Sequence, residues 1–122
     1  MASMKIPAAE SVEVPREKIV DYLLSETHPV GRHKAVAFRS WGFAADRWQE
    51  LAESLRRHAA ENDVTKEEQS PFGTRFVVEG IMESADGRSP QVRSVWFLRN
   101  EETVPQFVTA YPLKTRSQGS PK

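Results

Sequence analysis

Val92-Arg93-Ser94-Val95-Trp96-Phe97-Leu98-Arg99, residues 92–99, is the stretch that decides the fold. Its four consecutive apolar residues, 95–98, are typical of a strand at the centre of a sheet. The Ala-Asp-Gly-Arg segment at 85–88 is a hairpin signal, and the residues before it, 75–83, are rich in β-branched and apolar side chains. These two stretches therefore predict the central pair of antiparallel strands.

Two further strands are predicted outside this pair. Polar and apolar side chains alternate weakly over residues 64–69, which also carry Lys66, Glu67 and Glu68. Such charges are typical of an edge strand, where they discourage pairing with other chains. Residues 106–111 form the last strand, which Pro112 closes. The sequence thus predicts a four-stranded antiparallel meander.

The residues before position 62 have helical periodicity instead. We expect helix 1 over 15–25, helix 2 over 32–40 with Gly42 as a left-handed stop, and helix 3 over 46–61. Helix 3 has a possible capping box in Asp46 and Gln49. Its apolar stripe comprises Trp48, Leu51, Ala52, Leu55 and Ala59.

Two side-chain placements follow from these helices. Val36 and Phe38 of helix 2 are expected to face inward, and His58 of helix 3 is expected on the surface. The fold class is α+β, with about three N-terminal helices followed by the sheet and helix 3 packed on one sheet face. We expect a single domain over 14–112, an N-terminal arm over 1–13 and a disordered tail over 113–122.

The composition excludes several classes of protein. The chain has 122 residues, of which 39% are hydrophobic and 28% charged, enough for one globular domain. With 17 basic and 17 acidic residues, it lacks the basic excess that is usual for proteins binding nucleic acid over their whole surface, so any such site would be a local patch. It has no cysteine, no apolar run of membrane-spanning length and no signal-peptide pattern, which suits a cytoplasmic protein.

The densest group of chemically useful side chains is His28-Pro29-Val30-Gly31-Arg32-His33-Lys34-Ala35. His28 or His33 could transfer protons near neutral pH, while Arg32 and Lys34 could stabilise a phosphate. The alternative is a joint between two helices whose polar side chains lie in solvent. No carboxylate has metal-ligand spacing to these histidines, and no Gly-rich cofactor loop is present, so neither metal nor cofactor is expected.

A second group lies on the predicted sheet. Arg93 and Ser94 precede the central tryptophan, and Thr109 and Tyr111 belong to the last strand. Arg93 would either contact an anion on an open sheet face or form an ion pair with Glu79 or Glu83. Arg93 and Thr109 share a face only if the turn at 100–105 pairs residues whose numbers have an even sum.

Several motifs together resemble a bacterial domain of unknown function that occurs alone and at the C-terminal ends of polymorphic or contact-dependent toxins. The resemblance covers about residues 12–112. It is carried by residues 28–35, Phe38, Gly42-Phe43, Phe72-Gly73, Glu79-Gly80, Asp86-Gly87, residues 92–96, Val104-Pro105 and residues 108–112.

The layout is also similar to the barnase, EndoU, colicin-nuclease and RelE-like superfamily of metal-independent ribonucleases. That likeness implies RNA cleavage by 2′-hydroxyl attack, with His28 or His33 as base or acid. Lys34 and Arg93 would hold the phosphate, and Ser94 and Thr109 would add hydrogen bonds. It also implies RNA and an immunity or antitoxin protein as partners.

Two positions depart from the family pattern. Ser94 stands where the family usually has Thr, and Gln106-Phe107 stands where it often has Arg-Leu. The alternative function is a non-catalytic binding or interaction domain in which the motif residues are only structural.

Overall fold

The computed structural model describes residues 4–24 and 32–113, and for 32–34 it describes the backbone alone. The fold is α+β, and every helix within these ranges precedes the sheet. Helix α1 is Arg16–Lys18, which continues as a π-helical turn over Ile19–Leu23, and the longer helices are α2, Arg32–Ser40, and α3, Trp48–Glu61. The strands are β1, Val64–Ser70; β2, Gly73–Ile81; β3, Gln91–Arg99; and β4, Gln106–Pro112.

The sheet is the predicted four-stranded meander. Its strand order is β1-β2-β3-β4, and all neighbours are antiparallel. The central position of β3 agrees with its continuous apolar run, because a strand flanked on both sides has little access to water.

The core lies between α3 and one face of the sheet. Leu51, Ala52, Leu55 and Ala59 are buried along α3, as their spacing predicted, while Trp48 is only partly buried. The sheet contributes alternate residues to the same core, including Phe76, Val78, Val92, Trp96, Phe107 and Ala110. The Trp96 and Phe107 rings meet edge to face, with centroids 5.4 Å apart.

The predicted capping box of α3 is wrong. The helix is entered through a 3₁₀ turn, Ala45–Arg47, and its N-cap is Arg47, without a side-chain cap. Asp46 lies inside that turn, one residue too early to reach the first free N–H groups of α3.

Helix α2 has the predicted bounds and stop. Gly42 has φ +94°, the left-handed conformation that glycine adopts without strain. Phe38 is fully buried, as expected, but Val36 is 70% exposed, so its predicted inward orientation is wrong. Residues two apart on a helix point about 200° apart, and α2 buries only the side that carries Phe38.

Residues 4–14 pack closely against the rest of the fold. Ile6, Val12 and Val14 are buried in the core. Glu13 forms a parallel bridge with Gln106: its N–H donates to the Pro105 carbonyl at 3.0 Å, and its carbonyl accepts from the Phe107 N–H at 2.8 Å. The N-terminal arm thus extends the β4 edge of the sheet.

Two sequence-based expectations concern residues outside the ranges that the structure describes. The end of helix 1 at Ser25 falls in the omitted range 25–31, and the disordered tail falls almost entirely in 114–122. The longest helix within 4–24 and 32–113 has 14 residues, against ~20 for a bilayer span, and no described helix could cross a membrane.

Candidate functional site

The sheet face turned away from α3, here called the outer face, carries the candidate site. Arg93 pairs with Tyr111 of β4 and Glu79 of β2, and Val95 pairs with Thr109. The numbers in these β3–β4 pairs have an even sum, so Arg93 and Thr109 share a face. They are diagonal neighbours, roughly 7–8 Å apart at the backbone.

The guanidinium of Arg93 is held by two contacts. Its Nε donates to the Glu79 carboxylate at 2.6 Å, and Nη1 donates to the Tyr111 hydroxyl at 3.0 Å. The ion pair predicted with Glu79 or Glu83 is therefore formed with Glu79. The hydrogen bond with Tyr111, together with Glu79, raises the pKa of Arg93, so this group is a permanent cation.

Arg93 still has donors to offer. About a third of its side chain remains exposed. Within the described ranges, no residue accepts a hydrogen bond from its Nη2. The ion pair with Glu79 and the hydrogen bond to the Tyr111 hydroxyl hold the guanidinium in one orientation. A bound anion would therefore meet a fixed group rather than a mobile one.

Thr109 lies beside this cation and is contacted from the first helix. Its Oγ1 is 3.1 Å from the hydroxyl of Tyr22. Tyr22 belongs to the π-helical turn, in which the Leu24 N–H bonds five residues back to the Ile19 carbonyl at 2.8 Å. The wider turn alters which side chains face the sheet, and such turns are frequent at functional sites.

A groove of about 440 Å³ runs across the outer face beside Arg93. Val77 and Val95 are buried and form its floor. Its walls carry charged and polar side chains: Thr65, Lys66, Glu68, Arg75, Glu79, Arg93 and Tyr111. Polar groups that converge above an apolar floor are common at ligand sites, where they fix the orientation of the ligand.

Ser94 does not belong to this site. It is fully buried and faces α3, because adjacent residues of a strand point to opposite faces. Its Oγ accepts from Trp96 Nε1 at 2.8 Å and lies 2.9 Å from His58 Nδ1. The hydrogen bond that the resemblance implied for Ser94 at the site is therefore corrected: its hydroxyl belongs to a core network and cannot reach a ligand beside Arg93.

His58 was predicted on the surface, and this prediction is wrong. The side chain is 1% exposed. Its Nε2 is 2.9 Å from the Val92 carbonyl and 3.1 Å from the Gly80 carbonyl, and both oxygens can only accept. Nε2 therefore carries the ring proton, and Nδ1 accepts from Ser94. Burial lowers the pKa of His58, so the ring is neutral at neutral pH.

Three predicted site residues lie outside the described side chains. His28 falls in the omitted range, and only the backbone of His33 and Lys34 is described, in the first turn of α2. Their convergence with Arg93 stays a prediction. Tyr22 and Glu79 are the contacts that sequence reasoning did not assign to a site. Tyr22 stands off the apolar stripe of helix 1, and the π-turn that directs it has no sequence signal.

The donor set for a metal is limited in the described residues. Within 4–24 and 32–113, no three His, Asp or Glu side chains lie close enough together to hold an ion. The carboxylates of Glu68 and Glu79 on the outer face instead form ion pairs with Arg75 and Arg93.

Comparison with known families identifies the domain. The chain matches a domain of unknown function, DUF6883, over residues 5–114. It belongs to the DUF6883 family. The predicted membership in a domain family of unknown function is thereby confirmed, and the DUF6883 match includes most of the N-terminal arm as well as all four strands.

The fold of this DUF6883 chain also occurs among solved structures. A chain from a contact-dependent growth inhibition toxin–immunity protein complex of Klebsiella pneumoniae 342 superposes with a TM-score of 0.66. The two chains are 18% identical, and the match covers 82% of this chain and 98% of that one. No curated protein matches the chain. At this identity the likeness shows a shared fold, and the link to ribonucleases stays a prediction.

Proposed function

We propose that this DUF6883 domain is a metal-independent ribonuclease of the toxin type, with its active site on the outer face. The observation that supports the proposal is the strand register, which sets Arg93 opposite Tyr111 in the groove and makes Thr109 a diagonal neighbour of Arg93 on the same face. A fixed cation and two hydroxyl groups can together recognise a phosphodiester.

The reaction needs only groups that protein side chains supply. The 2′-oxygen of a ribose bonds to the adjacent phosphorus, and the bond from that phosphorus to the 5′-oxygen breaks. A base takes the 2′-hydroxyl proton, an acid returns a proton to the leaving 5′-oxygen, and the products are a cyclic 2′,3′-phosphate and a 5′-hydroxyl end. A positioned acid or base contributes about 10²–10⁴-fold to such a step.

Each remaining candidate has a role in this proposal. Arg93 binds a non-bridging phosphate oxygen through its open Nη2, and Thr109 donates a further hydrogen bond. His28 or His33 acts as base or acid, and Lys34 stabilises the charge that develops on phosphate. Ser94 has no role at the site.

A toxin of this kind would act on RNA in the cytoplasm and would need a protein that blocks its active site. The shared fold with a chain from a toxin–immunity protein complex supports such a partner. An immunity protein that covers the outer face would offer carboxylates to Arg93.

The second candidate function is a non-catalytic interaction domain. Two observations favour it: the formal net charge is zero, and Arg93 already has an ion pair with Glu79. A domain of this type would use the outer face to bind a protein and would leave RNA intact.

RNA cleavage by matched arginine variants separates the two functions. We expect the intact chain to cleave single-stranded RNA in the presence of a chelator, and Arg93→Gln to lower the rate by about 10²–10³-fold, the usual loss for one donor to a transition-state oxyanion. The control is Arg57→Gln, because Arg57 on α3 also has one ion pair with a glutamate, Glu83 at 2.9 Å, but lies on the helical side of the sheet.

A modified substrate tests the chemistry itself. A single 2′-deoxy nucleotide at the cleaved position should abolish cleavage there, because the attacking oxygen is gone. No cleavage by Arg93→Gln, Arg57→Gln or the unaltered chain would contradict the ribonuclease and favour the interaction domain. Equal, measurable cleavage by all three would contradict the role of Arg93.

A further inference from the structure

A second feature of the outer face lies about four residues along β3 from Arg93, or ~13 Å at strand spacing. Phe97 pairs with Arg75 of β2 and with Gln106 of β4, and Arg99 follows two residues later on the same face. This end of the sheet thus carries two arginines and an aromatic ring.

The cations here differ from Arg93 in their lack of strong partners. Within the described ranges, Arg99 and Lys18 have no ion pair, and both are exposed. Arg75 approaches Glu68 only to 3.6 Å, with both side chains about half exposed. These three cations are therefore available for phosphate groups.

The same three cations line one depression. Lys18, from α1, faces Arg75, Phe97, Arg99 and Gln106 across about 370 Å³. Arg75 also lines the groove of Arg93, so the two depressions are neighbours on the outer face and share Arg75 as a wall.

Aromatic rings flank Arg99 on two sides. Phe97 is partly exposed, whereas the large aromatics of the opposite face are buried. Phe72, in the turn between β1 and β2, is 76% exposed and shares a further depression with Phe97 and Arg99. An exposed phenylalanine ring beside an exposed cation can stack a nucleobase next to a phosphate contact.

The turn that carries Phe72 is held in place. Asn100 donates from Nδ2 to the Pro71 carbonyl at 2.7 Å and from its backbone N–H to the Phe72 carbonyl at 3.2 Å. The turn is thereby tied to the end of β3, and the Phe72 ring has a fixed point of attachment beside Arg99.

We infer that Lys18, Phe72, Arg75, Phe97 and Arg99 form a binding strip for single-stranded RNA next to Arg93. The bases stack on the two phenylalanine rings, and the three cations follow the phosphate backbone. Three acidic side chains also border the strip: Glu68 near Arg75, Glu101 near Phe72 and Arg99, and Glu13, which accepts a hydrogen bond from Gln106. Among the cations of the strip, Arg75 alone has an ion-pair contact with a described acidic residue, and its 3.6 Å separation from Glu68 is long. The inference takes its ligand class, RNA, from the proposed ribonuclease. It states where the RNA that enters the active site would bind.

The test measures binding without cleavage. The probe is a fluorescein-labelled 12-nucleotide single strand of mixed sequence with a 2′-O-methyl group at every position, which cannot be cut by 2′-hydroxyl attack. Fluorescence anisotropy at several salt concentrations gives Kd and its salt dependence. The variants are Phe72→Ala, Phe97→Ala and Arg99→Gln, with Arg57→Gln as the control.

We expect each phenylalanine variant to weaken binding by about 5- to 150-fold, the usual range for one stacked base. Arg99→Gln should reduce the slope of log K against log salt by about 0.7, the value for one phosphate contact to a single strand. Phe72→Ala is decisive if Phe97→Ala fails to fold, because the Phe72 ring is exposed and its removal leaves the core intact.

Three outcomes would overturn the inference: no binding of the probe, equal binding by all variants, or tighter binding of a 12-base-pair duplex. Failure of the ribonuclease is read separately, from unmodified RNA with Arg93→Gln. If the chain binds the probe through the strip but leaves RNA uncut, the result would support the binding strip and contradict the proposed catalysis.

Discussion

Replacement of Ser94 by alanine distinguishes a core hydroxyl from a catalytic one. Its Oγ accepts from Trp96 Nε1 and donates to His58 Nδ1, and all three side chains are buried. Alanine fits the same space but leaves the indole N–H and the imidazole nitrogen without partners. Water cannot easily replace the hydroxyl, because the site is enclosed between α3 and the sheet.

The expected loss of stability follows from these two buried polar groups that lose their hydrogen-bond partner. Each buried donor or acceptor without a partner costs about 1–3 kcal/mol, so Ser94→Ala should lower the free energy of unfolding by about 2–6 kcal/mol. This is a large share of the roughly 5–15 kcal/mol that stabilises an ordinary domain. The urea midpoint should fall by about 1 M or more, given the usual dependence for small proteins.

Urea unfolding followed by tryptophan fluorescence measures this change, with Ser40→Ala as the control. The Ser40 hydroxyl also donates one bond, to the Ala37 carbonyl at 2.6 Å, but it is exposed and water can replace it. We expect the control to change stability by less than about 0.5 kcal/mol. An unaltered midpoint for Ser94→Ala together with lost RNA cleavage would refute the core assignment and restore Ser94 to the site.

Two further predictions concern His58 and Gly73. Burial lowers the pKa of His58 below its ordinary value of 6.5, so below pH 6.5 the unfolded chain binds a proton that the folded chain does not. The contribution of His58 to the free energy of unfolding should therefore be constant above pH 6.5. Below pH 6.5 it should fall, approaching ~1.4 kcal/mol per pH unit, until the pH reaches the lowered pKa of the folded state. Denaturant titrations at pH 7.5, 6.5 and 5.5 check this, and a His58→Gln variant that keeps the same fall would contradict it. Gly73→Ala should destabilise the fold by more than Gly87→Ala, because its Cβ would overlap the Leu98 carbonyl oxygen. The Cβ at Gly87 would meet open space, so only the backbone strain at its φ of +89° opposes alanine there. Thermal unfolding compares the two variants, and equal shifts in Tm would be evidence against the close contact.

The secondary structure was largely predictable from local patterns. The apolar stripe of α3, the continuous run of β3 and the hairpin signal at 85–88 each depend on residues close in sequence, and the structure has the corresponding elements within a few residues. The start of α3 was less predictable, because a 3₁₀ turn and a capped helix can begin with the same residue types.

Two errors at the site had signals in the sequence. His58 follows Leu51 by seven residues and Leu55 by three, so its spacing alone puts it on the apolar stripe. Ser94 alternates with Val92 and Trp96, so a period of two places it in the core and separates it from Arg93. The surface placement of His58 followed from its polarity, whereas the site placement of Ser94 followed from the family resemblance.

The register between β3 and β4 could not be read from the sequence. Val95 pairs with Thr109, but Trp96 pairs with Phe107, so β4 contains an extra residue at a bulge. Such a shift exchanges the faces of all residues on one side of it, and no local pattern records where it occurs. The proximity of Arg93 and Thr109 therefore required the three-dimensional structure.

The N-terminal arm has a consequence for the behaviour of this domain at high concentration. It engages both outer strands: the Met4 carbonyl accepts from the Val64 N–H at 2.7 Å at the start of β1, and Glu13 bridges to Gln106 at the start of β4. Removal of residues 4–14 would free backbone groups at both margins and uncover the core at Ile6 and Val12. A shortened chain would therefore self-associate through the exposed edges of β1 and β4. Residues 4–14 thus protect the domain against aggregation.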